Sequence, residues 1–506
     1  MHYPLRIAIV ALFAVLSNHS ASAADFDPKS LDETVEKALA EFEVPGAAVV
    51  VVKDDKVIYL KGFGVRAKGK SEKVTPDTVF AVASCTKAFT ATAAAMLVAD
   101  KKMNWDDPLR KHLPAFRLAD ESADRNATIR DLLSHRTGMP RHDMLWVGSA
   151  RDPEDLIERF GLAKRSTSFR STWEYTNAPF TAAGLAVGNA GQSDWPTIIK
   201  KRIFDPLEMT HSYASGAEAS KAANRATPHY ATLAGKIEPL EWDAIDVAQG
   251  AGCIGSTASD LGNWLRFQLA GGEFDGKRIL SANALKDTHT PQMIFRPEGP
   301  FAVYFPAKVT KFFNYGLGWF VTDYRGEVCL SHGGTLSGFR AQCMMLPEKK
   351  LGVFVLANLR PSYFTESVAK TVIDTLLDKT EDWTKFHMDA LFVQTAILKA
   401  VQAKREKDRK PDTKPTLDAK EYVGAYTEPA YGTARVSGED DKLQLKWGSL
   451  TFRLEHFQYD TFTAVLVEPK ATAITFDRST LDVLFRIGKA GTVVGLEFLE
   501  QDFVRR

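Results

Sequence analysis

Two groups of short β-branched segments lie far apart in this chain, and most of the sequence between them has helical patterns. Residues 47–52 and 57–60 form the first group and meet across an Asp-Asp pair, which predicts a hairpin. Residues 328–330, 341–346 and 351–356 form the second group. Because strand backbones must pair, we expect one antiparallel sheet built from both groups, with a helical region inserted between them. The predicted fold class is α/β (α+β).

Helical periodicity covers residues 84–99, 129–133, 177–187 and 258–269, and an amphipathic pattern covers residues 365–377. We expect these helices to flank the sheet, since each has an apolar face to bury.

The composition is that of a globular protein, with 45% hydrophobic and 25% charged residues. The chain has 64 Lys and Arg against 63 Asp and Glu, a net charge of +1. This balance gives no electrostatic reason to expect a nucleic-acid or membrane-surface partner. The expected partner is a small-molecule or peptide substrate.

The first residues have the pattern of a signal peptide. Arg6 precedes an unbroken apolar run over residues 7–16, and Ala21-Ser22-Ala23 matches a cleavage site. A run of about ten apolar residues spans only about half of a bilayer. We therefore expect residues 1–23 to be removed, leaving an exported protein, periplasmic or secreted, without an integral membrane span.

Cys85, Cys253, Cys329 and Cys343 show no C-x-x-C spacing, and the eleven histidines are scattered. A metal site is therefore not predicted. Cys329 and Cys343 flank a predicted hairpin and could face each other, but four free buried thiols fit the sequence equally well.

The composition changes near the C-terminal end. Residues 404–414 carry six basic and three acidic residues, with prolines at 411 and 415, so residues 396–416 are predicted to be a charged linker. Residues 417–506 contain repeated short alternating segments, which predict a small all-β barrel. Residues 24–395 then form the main domain.

Ser84 and Lys87 begin the Ala-rich helical segment and are three residues apart. Residues at this spacing share one helix face, so the hydroxyl and the amine can meet. The helix dipole at the first turn stabilises a developing alkoxide. Apolar neighbours and the same field favour a neutral amine, so the pair predicts a nucleophile with an activating base.

A second S-x-x-K match, Ser367 to Lys370, lies in the amphipathic helix, where we expect an ordinary exposed serine. The two matches differ in the motifs that come after them in the chain. Only after Ser84 come the single Y-x-N match, Tyr175 to Asn177, and the single H-x-G match, His332 to Gly334.

The ordered trio resembles the serine β-lactamase and penicillin-binding protein superfamily, and its spacing is most similar to class C β-lactamase-related esterases and D-amino-acid peptidases. The resemblance covers residues 28–380, and residues 417–506 resemble the lipocalin-like barrel fused to some members. It implies a β-lactamase/transpeptidase-like sheet flanked by helices, and a hydrolase that needs no cofactor.

The resemblance also implies roles for the motif residues. Ser84 would attack a carbonyl and form an acyl-enzyme, while Lys87 and Tyr175 would share the proton. Asn177 would orient Lys87 and the substrate amide. The oxyanion site would use the Ser84 and Thr335 N–H groups, and the other substrate-binding residues of this strand would be His332, Gly333 and Gly334.

One motif departs from the lactamase pattern. Lactamases with this arrangement usually carry K-T-G, whereas His332-Gly333-Gly334 puts a mostly neutral imidazole where an ammonium would hold a substrate carboxylate. The change favours an esterase, amidase or aminopeptidase-like activity. A β-lactamase or D-Ala-D-Ala carboxypeptidase and a non-hydrolytic penicillin-recognising sensor or ligand-binding protein remain alternatives.

Two residues near these motifs receive structural interpretations. His135 is predicted to fix a loop through a hydrogen bond. Cys85 points about 100° around the helix from Ser84, so we expect it to pack in the core.

Overall fold

The computed structural model describes residues 27–164, 166–438, 442–467 and 481–506. The predicted signal peptide, residues 1–23, lies outside the described residues. No helix in the described part of the chain is long and apolar enough to cross a membrane.

The described residues contain fourteen α-helices, the last of which precedes the first barrel strand. They are α1 Pro28–Glu41, α2 Thr86–Ala99, α3 Leu109–His112, α4 Glu121–Asn126, α5 Ile129–Leu133, α6 Pro153–Leu162, α7 Ala178–Gly191, α8 Trp195–Ile199, α9 Gly216–Ala219, α10 Ala258–Leu269, α11 Ala282–Thr288, α12 Phe364–Leu376, α13 Trp383–Asp408 and α14 Ala419–Tyr422.

The strands of the main domain are short except near its two ends. They are β1 Gly46–Lys53, β2 Lys56–Gly64, β3 Phe80–Ala81, β4 His229–Ala231, β5 Ile237–Pro239, β6 Gly255–Ser256, β7 Glu273–Phe274, β8 Lys277–Arg278, β9 Met293–Ile294, β10 Phe313–Tyr315, β11 Phe320–Tyr324, β12 Glu327–Leu336, β13 Phe339–Leu346, β14 Leu351–Ala357 and β15 Leu359–Arg360.

Eight strands form the principal sheet in the order β2-β1-β14-β13-β12-β11-β10-β9, and every neighbouring pair is antiparallel. The N-terminal hairpin pairs directly with β14, with Val49 opposite Val355. This confirms the sheet predicted from both groups of β-branched segments.

Helices cover both faces of this sheet, which explains why β1 is apolar at almost every position. Val49 and Val51 pack into a core shared with α1 and α12, while Val50 and Val52 pack into a core shared with α2 and α10. Successive side chains of a strand point to opposite faces, so a strand buried on both sides has no polar alternation.

The C-terminal strands close into an eight-stranded antiparallel barrel, as the alternating segments predict. They are β16 Gly424–Glu428, β17 Gly432–Ser437, β18 Gln444–Trp447, β19 Leu450–Gln458, β20 Thr461–Leu466, β21 Asp482–Ile487, β22 Val493–Phe498 and β23 Gln501–Arg505. Buried aromatic rings such as Tyr426, Phe452 and Phe485 fill its interior, as the small bore of an eight-stranded barrel requires.

The segment predicted as a linker is partly helical, because α13 continues to Asp408. Arg405 on this helix donates to Asp482 of the barrel at 2.6 Å, and Arg409 donates to the carbonyl oxygen of Phe457 at 2.8 Å. Residues 396–408 therefore belong to a helix that packs on the barrel, and sequence analysis missed it because charged residues dominate its final turns.

The barrel also contacts the main domain through a short segment. The His142 Nδ1 atom lies 3.0 Å from the Tyr431 hydroxyl, and the backbone N–H of Ser449 donates to the carbonyl oxygen of Gly148 at 3.1 Å. A Cβ atom at Gly148 would come within 2.5 Å of the Trp447 ring. A glycine is thus required where this segment meets the barrel.

All four cysteines are buried free thiols. Cys343 lies opposite His332 in the β12–β13 register, while Cys329 lies one strand position beyond the pairs of that ladder. Of the two sequence interpretations, the one with four free thiols agrees with the structure.

Candidate active site

Ser84 lies in a tight turn between β3 and α2. A 3₁₀ turn over Ala83–Cys85 leads directly into α2, and Ala83 has a φ of 47°, in the left-handed region that residues with a Cβ rarely adopt. The turn leaves Ser84 partly exposed while α2 behind it is almost wholly buried. The predicted position of this hydroxyl at the mouth of a buried helix is confirmed.

Lys87 is fully buried one turn into the site, with its amine facing three oxygen atoms. The Lys87 Nζ atom lies 3.3 Å from Ser84 Oγ, 2.8 Å from Asn177 Oδ1 and 2.9 Å from the carbonyl oxygen of Ala251. The side-chain oxygen of Asn177 and the backbone carbonyl oxygen of Ala251 can only accept hydrogen bonds. A neutral amine satisfies both with its two N–H groups and directs its lone pair at the Ser84 hydroxyl.

Electrostatics favour this neutral form. Burial, together with the positive charge of Arg141, lowers the pKa of Lys87 from 10.5 to about 7, and the negative charge of Asp143 opposes this shift. The amine is therefore available as a proton acceptor near neutral pH.

Tyr175 lies beside both of these residues. Its ring centre is 5.0 Å from Lys87 Nζ, and its phenol interacts with the Ser84 side chain, which favours the phenolate form. Burial raises the pKa of Tyr175, and the contact with Ser84 only partly offsets that effect. The phenol therefore stays protonated, which makes it a proton donor and leaves Lys87 as the base of the pair.

His135 holds the segment that carries Tyr175. Its carbonyl oxygen accepts from the N–H of Glu174 at 2.8 Å, and its ring Nδ1 accepts from the N–H of Thr176 at 3.2 Å. The two bonds flank Tyr175 on both sides, and the rings of His135 and Tyr175 lie 4.4 Å apart. The predicted loop-fixing role of His135 is confirmed.

Asn177 is the N-cap of α7 and is fixed at both ends of its amide. Its Oδ1 accepts from Lys87, and its Nδ2 donates to Asp143 Oδ1 at 2.9 Å. Asp143 also accepts from Arg141 at 2.5 Å and from the Trp146 indole at 3.0 Å. Sequence analysis missed Asp143, because no motif links it to Asn177.

His332 lies on β12 and is buried beside Lys87. Its Nδ1 donates to the carbonyl oxygen of Gly333 at 2.8 Å, and its Nε2 accepts from the Tyr315 hydroxyl at 3.1 Å. Burial and the neighbouring charge of Lys87 lower the pKa of His332 to about 3. The imidazole is therefore neutral, as its replacement of the lactamase lysine suggested.

The end of β12 forms an open strand edge next to Ser84. Pairing with β11 ends at Ser331, so the following residues are bonded on one side only, to β13. A Cβ atom at Gly334 would lie 2.1 Å from the carbonyl oxygen of Val82, which precedes the Ser84 turn. Glycine thus lets β12 approach the nucleophile, and Thr335 is exposed at the free edge.

Cys85 is buried behind the site, as predicted. Its Sγ donates to the carbonyl oxygen of His332 at 3.2 Å, and burial raises the pKa of the thiol to about 12. It helps to hold β12 against the start of α2.

A cavity of about 500 Å³ opens at Ser84. Many of its lining residues are aromatic, and its most deeply buried charged residues, Arg340, Glu366 and Lys370, define its inner end. The lining includes Trp173, Tyr175, Phe301, Tyr304, Phe305, Phe320, His332, Gly333, Arg340, Glu366 and Lys370. Within the described ranges, no cluster of His, Cys, Asp or Glu side chains fits a metal ion.

The second S-x-x-K match differs from expectation. Ser367 and Lys370 are both buried, because the α12 face that carries them packs against the sheet and α13. The prediction of an exposed serine is wrong, and Lys370 lines the same cavity as Ser84.

Comparison with curated proteins finds hydrolases among the relatives. The unguisins hydrolase ungD of Aspergillus violaceofuscus is 29% identical over 488 residues, which cover 88% of this chain and 85% of that protein. Protein flp of Staphylococcus aureus is 26% identical over 353 residues, which cover 67% of this chain and 65% of that protein.

Solved structures share the fold. An octameric penicillin-binding protein homologue from Pyrococcus abyssi matches with a TM-score of 0.61 and 22% identity over 95% of this chain and all of that one. A D-stereospecific amidohydrolase from Streptomyces matches with a TM-score of 0.55 and 22% identity over 66% of this chain and 95% of that one.

Family models match both parts of the chain. Residues 408–505 match a domain of unknown function, DUF3471, and residues 31–377 match the beta-lactamase model. With more than half of its length matched and with the corresponding sheet and helices in place, this chain belongs to the beta-lactamase family of serine hydrolases.

Proposed function

We propose that this protein cleaves an ester or amide bond of a small molecule or peptide through an acyl-enzyme on Ser84. The observation that carries the proposal is the set of oxygen atoms around Lys87 Nζ. Two of them accept its N–H groups, and the third is Ser84 Oγ at 3.3 Å. A neutral amine in that position takes the hydroxyl proton as Oγ attacks a carbonyl carbon.

In acylation, Ser84 Oγ forms a bond to the carbonyl carbon and its proton moves to Lys87. Tyr175, which is protonated because burial raises its pKa, donates its proton to the departing oxygen or nitrogen and regains one from Lys87. The bond to the leaving group then breaks. In deacylation a water adds to the acyl carbon, and one of its protons passes through Tyr175 and Lys87 to Ser84 Oγ. The bond between Oγ and the acyl carbon then breaks, which releases the acid and restores the Ser84 hydroxyl.

The negative charge on the carbonyl oxygen needs donors during both steps. We assign this role to the backbone N–H groups of Ser84 and Thr335, and each such donor lowers the barrier by about 3–4 kcal/mol. The close approach of Gly334 to Val82 supports the assignment, because it brings the β12 edge next to the Ser84 turn.

The neutral form of the His332 imidazole favours ester or amide substrates over β-lactams. A neutral, buried imidazole at this position offers no ammonium to the carboxylate that penicillins carry. A curated relative named as a hydrolase, the unguisins hydrolase, is consistent with this choice.

A fluorophosphonate probe followed by peptide mass mapping tests the assignment of Ser84. We expect one adduct per chain, on the peptide containing Ser84, and no adduct in Ser84→Ala. An adduct on another serine would overturn the proposal.

Turnover of p-nitrophenyl esters, D- and L-amino-acid amides, D-Ala-D-Ala peptides and a chromogenic cephalosporin separates the candidate activities. We expect hydrolysis of an ester or amide to dominate. Dominant cephalosporin or D-Ala-D-Ala turnover would favour a β-lactamase or carboxypeptidase, and a stable β-lactam adduct without any turnover would favour a sensor.

We also propose that the protein is exported, on the strength of its predicted signal peptide. Fractionation of cells that express the full chain tests this, and we expect the mature protein outside the cytoplasm with Ala24 as its first residue. Retention of residues 1–23 on a cytoplasmic product would contradict export.

A further inference from the structure

Lys370 is a buried amine without a polar partner. Its side chain projects from α12, is 6% exposed, and lines the cavity that opens at Ser84. Within the part of the chain that the structure describes, it makes no hydrogen bond or ion pair, and its aromatic neighbour is the Trp383 ring, 5.7 Å from Nζ. The carboxylates of Glu366 and Asp374 attract the amine only from beyond ion-pair distance, and a buried ammonium without a directly bonded counter-ion is costly to keep.

Arg340 lies beside it and is also incompletely paired. This residue is 5% exposed, and its guanidinium hydrogen-bonds Glu366 and Thr335. Its Nε atom is buried and has no partner among the described residues. The two carboxylates that act on Lys370 already have arginine partners, because Glu366 is bonded to Arg340 and Asp374 to Arg325. The inner end of the cavity therefore carries an excess positive charge.

The cluster is connected to the strand edge on which the proposed oxyanion site lies. Arg340 donates to the hydroxyl of Thr335, which is exposed at the end of β12. The Gly333 position opens toward the same cluster, since a Cβ atom there would lie 3.1 Å from Gln342 Oε1 and 3.9 Å from Glu366 Oε1. A substrate lying along this edge can therefore extend into the charged end of the cavity.

We propose that Lys370 and Arg340 form a binding subsite for a carboxylate carried by the substrate, away from the bond that is cleaved. This inference rests on the proposed hydrolase function and names the class of its substrates. A carboxylate would give Lys370 a directly bonded counter-ion and would also be attracted by the guanidinium of Arg340, while the Arg340–Glu366 pair remains in place. The subsite lies at a different position from His332, so it does not restore the ammonium that would hold a penicillin carboxylate beside the reacting bond.

The carboxylate has two possible sources, the acyl part of the substrate or its leaving group. Matched substrates distinguish them. A p-nitrophenyl ester of glutaric acid is compared with the p-nitrophenyl ester of valeric acid, and a peptide with a free C-terminal carboxylate is compared with its C-terminal amide. The measured quantity is the ratio of kcat/KM for the anionic substrate to that for the neutral one.

We expect this ratio to fall at least about tenfold in Lys370→Met for one of the two pairs, because the lost ion pair with a buried ammonium contributes to binding. Lys379→Met removes the same charge from an exposed position beyond α12 and should leave the ratio at the wild-type value. Equal ratios in wild type and Lys370→Met for both pairs would overturn the subsite.

A binding measurement separates this subsite from the catalytic proposal. Calorimetry on Ser84→Ala should detect glutarate, and the double variant Ser84→Ala/Lys370→Met should bind it at least about tenfold more weakly. This measurement does not depend on turnover, so it tests the subsite independently of the catalytic role of Ser84. Lys370→Gln replaces Lys370→Met if the latter does not fold, and equal glutarate affinity with and without Lys370 would overturn the proposal.

Discussion

Lys87 Nζ lies 3.3 Å from Ser84 Oγ and has carbonyl oxygen atoms as its other two polar neighbours. The same buried environment that fixes this geometry lowers the pKa of the amine to about 7. Lys87 therefore determines both whether Ser84 is activated and over which pH range the enzyme is active. The pH dependence of the rate, and its change when Asp143 or Arg141 is neutralised, test this relationship.

The rate should rise with pH through the range in which Lys87 loses its proton. We expect kcat/KM on a neutral ester to increase about tenfold per pH unit below pH 7 and to level off above it, since only the neutral amine has a free lone pair. A profile from about pH 5 to about pH 9 measures this. A rate that falls through pH 7 would contradict a neutral Lys87 as the base.

Asp143 and Arg141 should move this profile in opposite directions. The carboxylate of Asp143 raises the pKa of Lys87, and the guanidinium of Arg141 lowers it. Asp143→Asn should therefore shift the rising limb to lower pH, and Arg141→Gln should shift it to higher pH. Both variants are read from the same pH–rate measurement.

Asp143 is a positioning residue, because it acts through Asn177 and does not reach Ser84. A purely structural role would lower kcat without shifting the rising limb of the pH–rate profile. If this limb lies at the same pH in wild type, Asp143→Asn and Arg141→Gln, the proposed electrostatic coupling is excluded.

Tyr175→Phe should lower kcat at least about a hundredfold, because it removes the phenol that donates a proton to the leaving group. Tyr459→Phe, an exposed barrel position, provides the matched control and should keep wild-type kcat. Steady-state kinetics on one ester and one amide measure the effect. Wild-type turnover in Tyr175→Phe would assign proton donation to another group.

The two glycines of β12 should differ in their effect on stability. Gly334→Ala places a Cβ atom 2.1 Å from a backbone oxygen that cannot move freely, whereas the atom nearest to a Cβ atom in Gly333→Ala is the flexible end of Gln342 at 3.1 Å. We expect Gly334→Ala to lower the free energy of unfolding by at least about 2 kcal/mol and Gly333→Ala by clearly less. Urea unfolding measures both, and equal losses would argue against the close packing of β12 on Val82.

The principal sheet was predictable because burial on both faces leaves a continuous apolar pattern in β1 and β14. The C-terminal barrel was predictable because apolar and polar residues alternate along its strands, as expected for strands with one buried face. The extent of α13 was not predictable, because its last turns are charged and its contacts, such as Arg405 with Asp482, involve a distant part of the chain.

The candidate active site likewise contains some residues that the sequence predicted and others that it did not. Ser84, Lys87 and Tyr175 could be found from motif order, whereas Asp143 and the carbonyl oxygen of Ala251 come from segments without a motif. The protonation state of Tyr175 also depends on its burial, which cannot be predicted from the sequence alone. Local spacing finds groups on one helix face, but not those that tertiary packing brings together.

Removal of the Ser84 hydroxyl tests the central claim most directly. The kcat/KM of Ser84→Ala on the best ester or amide substrate should fall at least about a thousandfold, since no other group would form the acyl-enzyme. A variant that keeps more than about a thousandth of the wild-type kcat/KM would contradict covalent catalysis at Ser84.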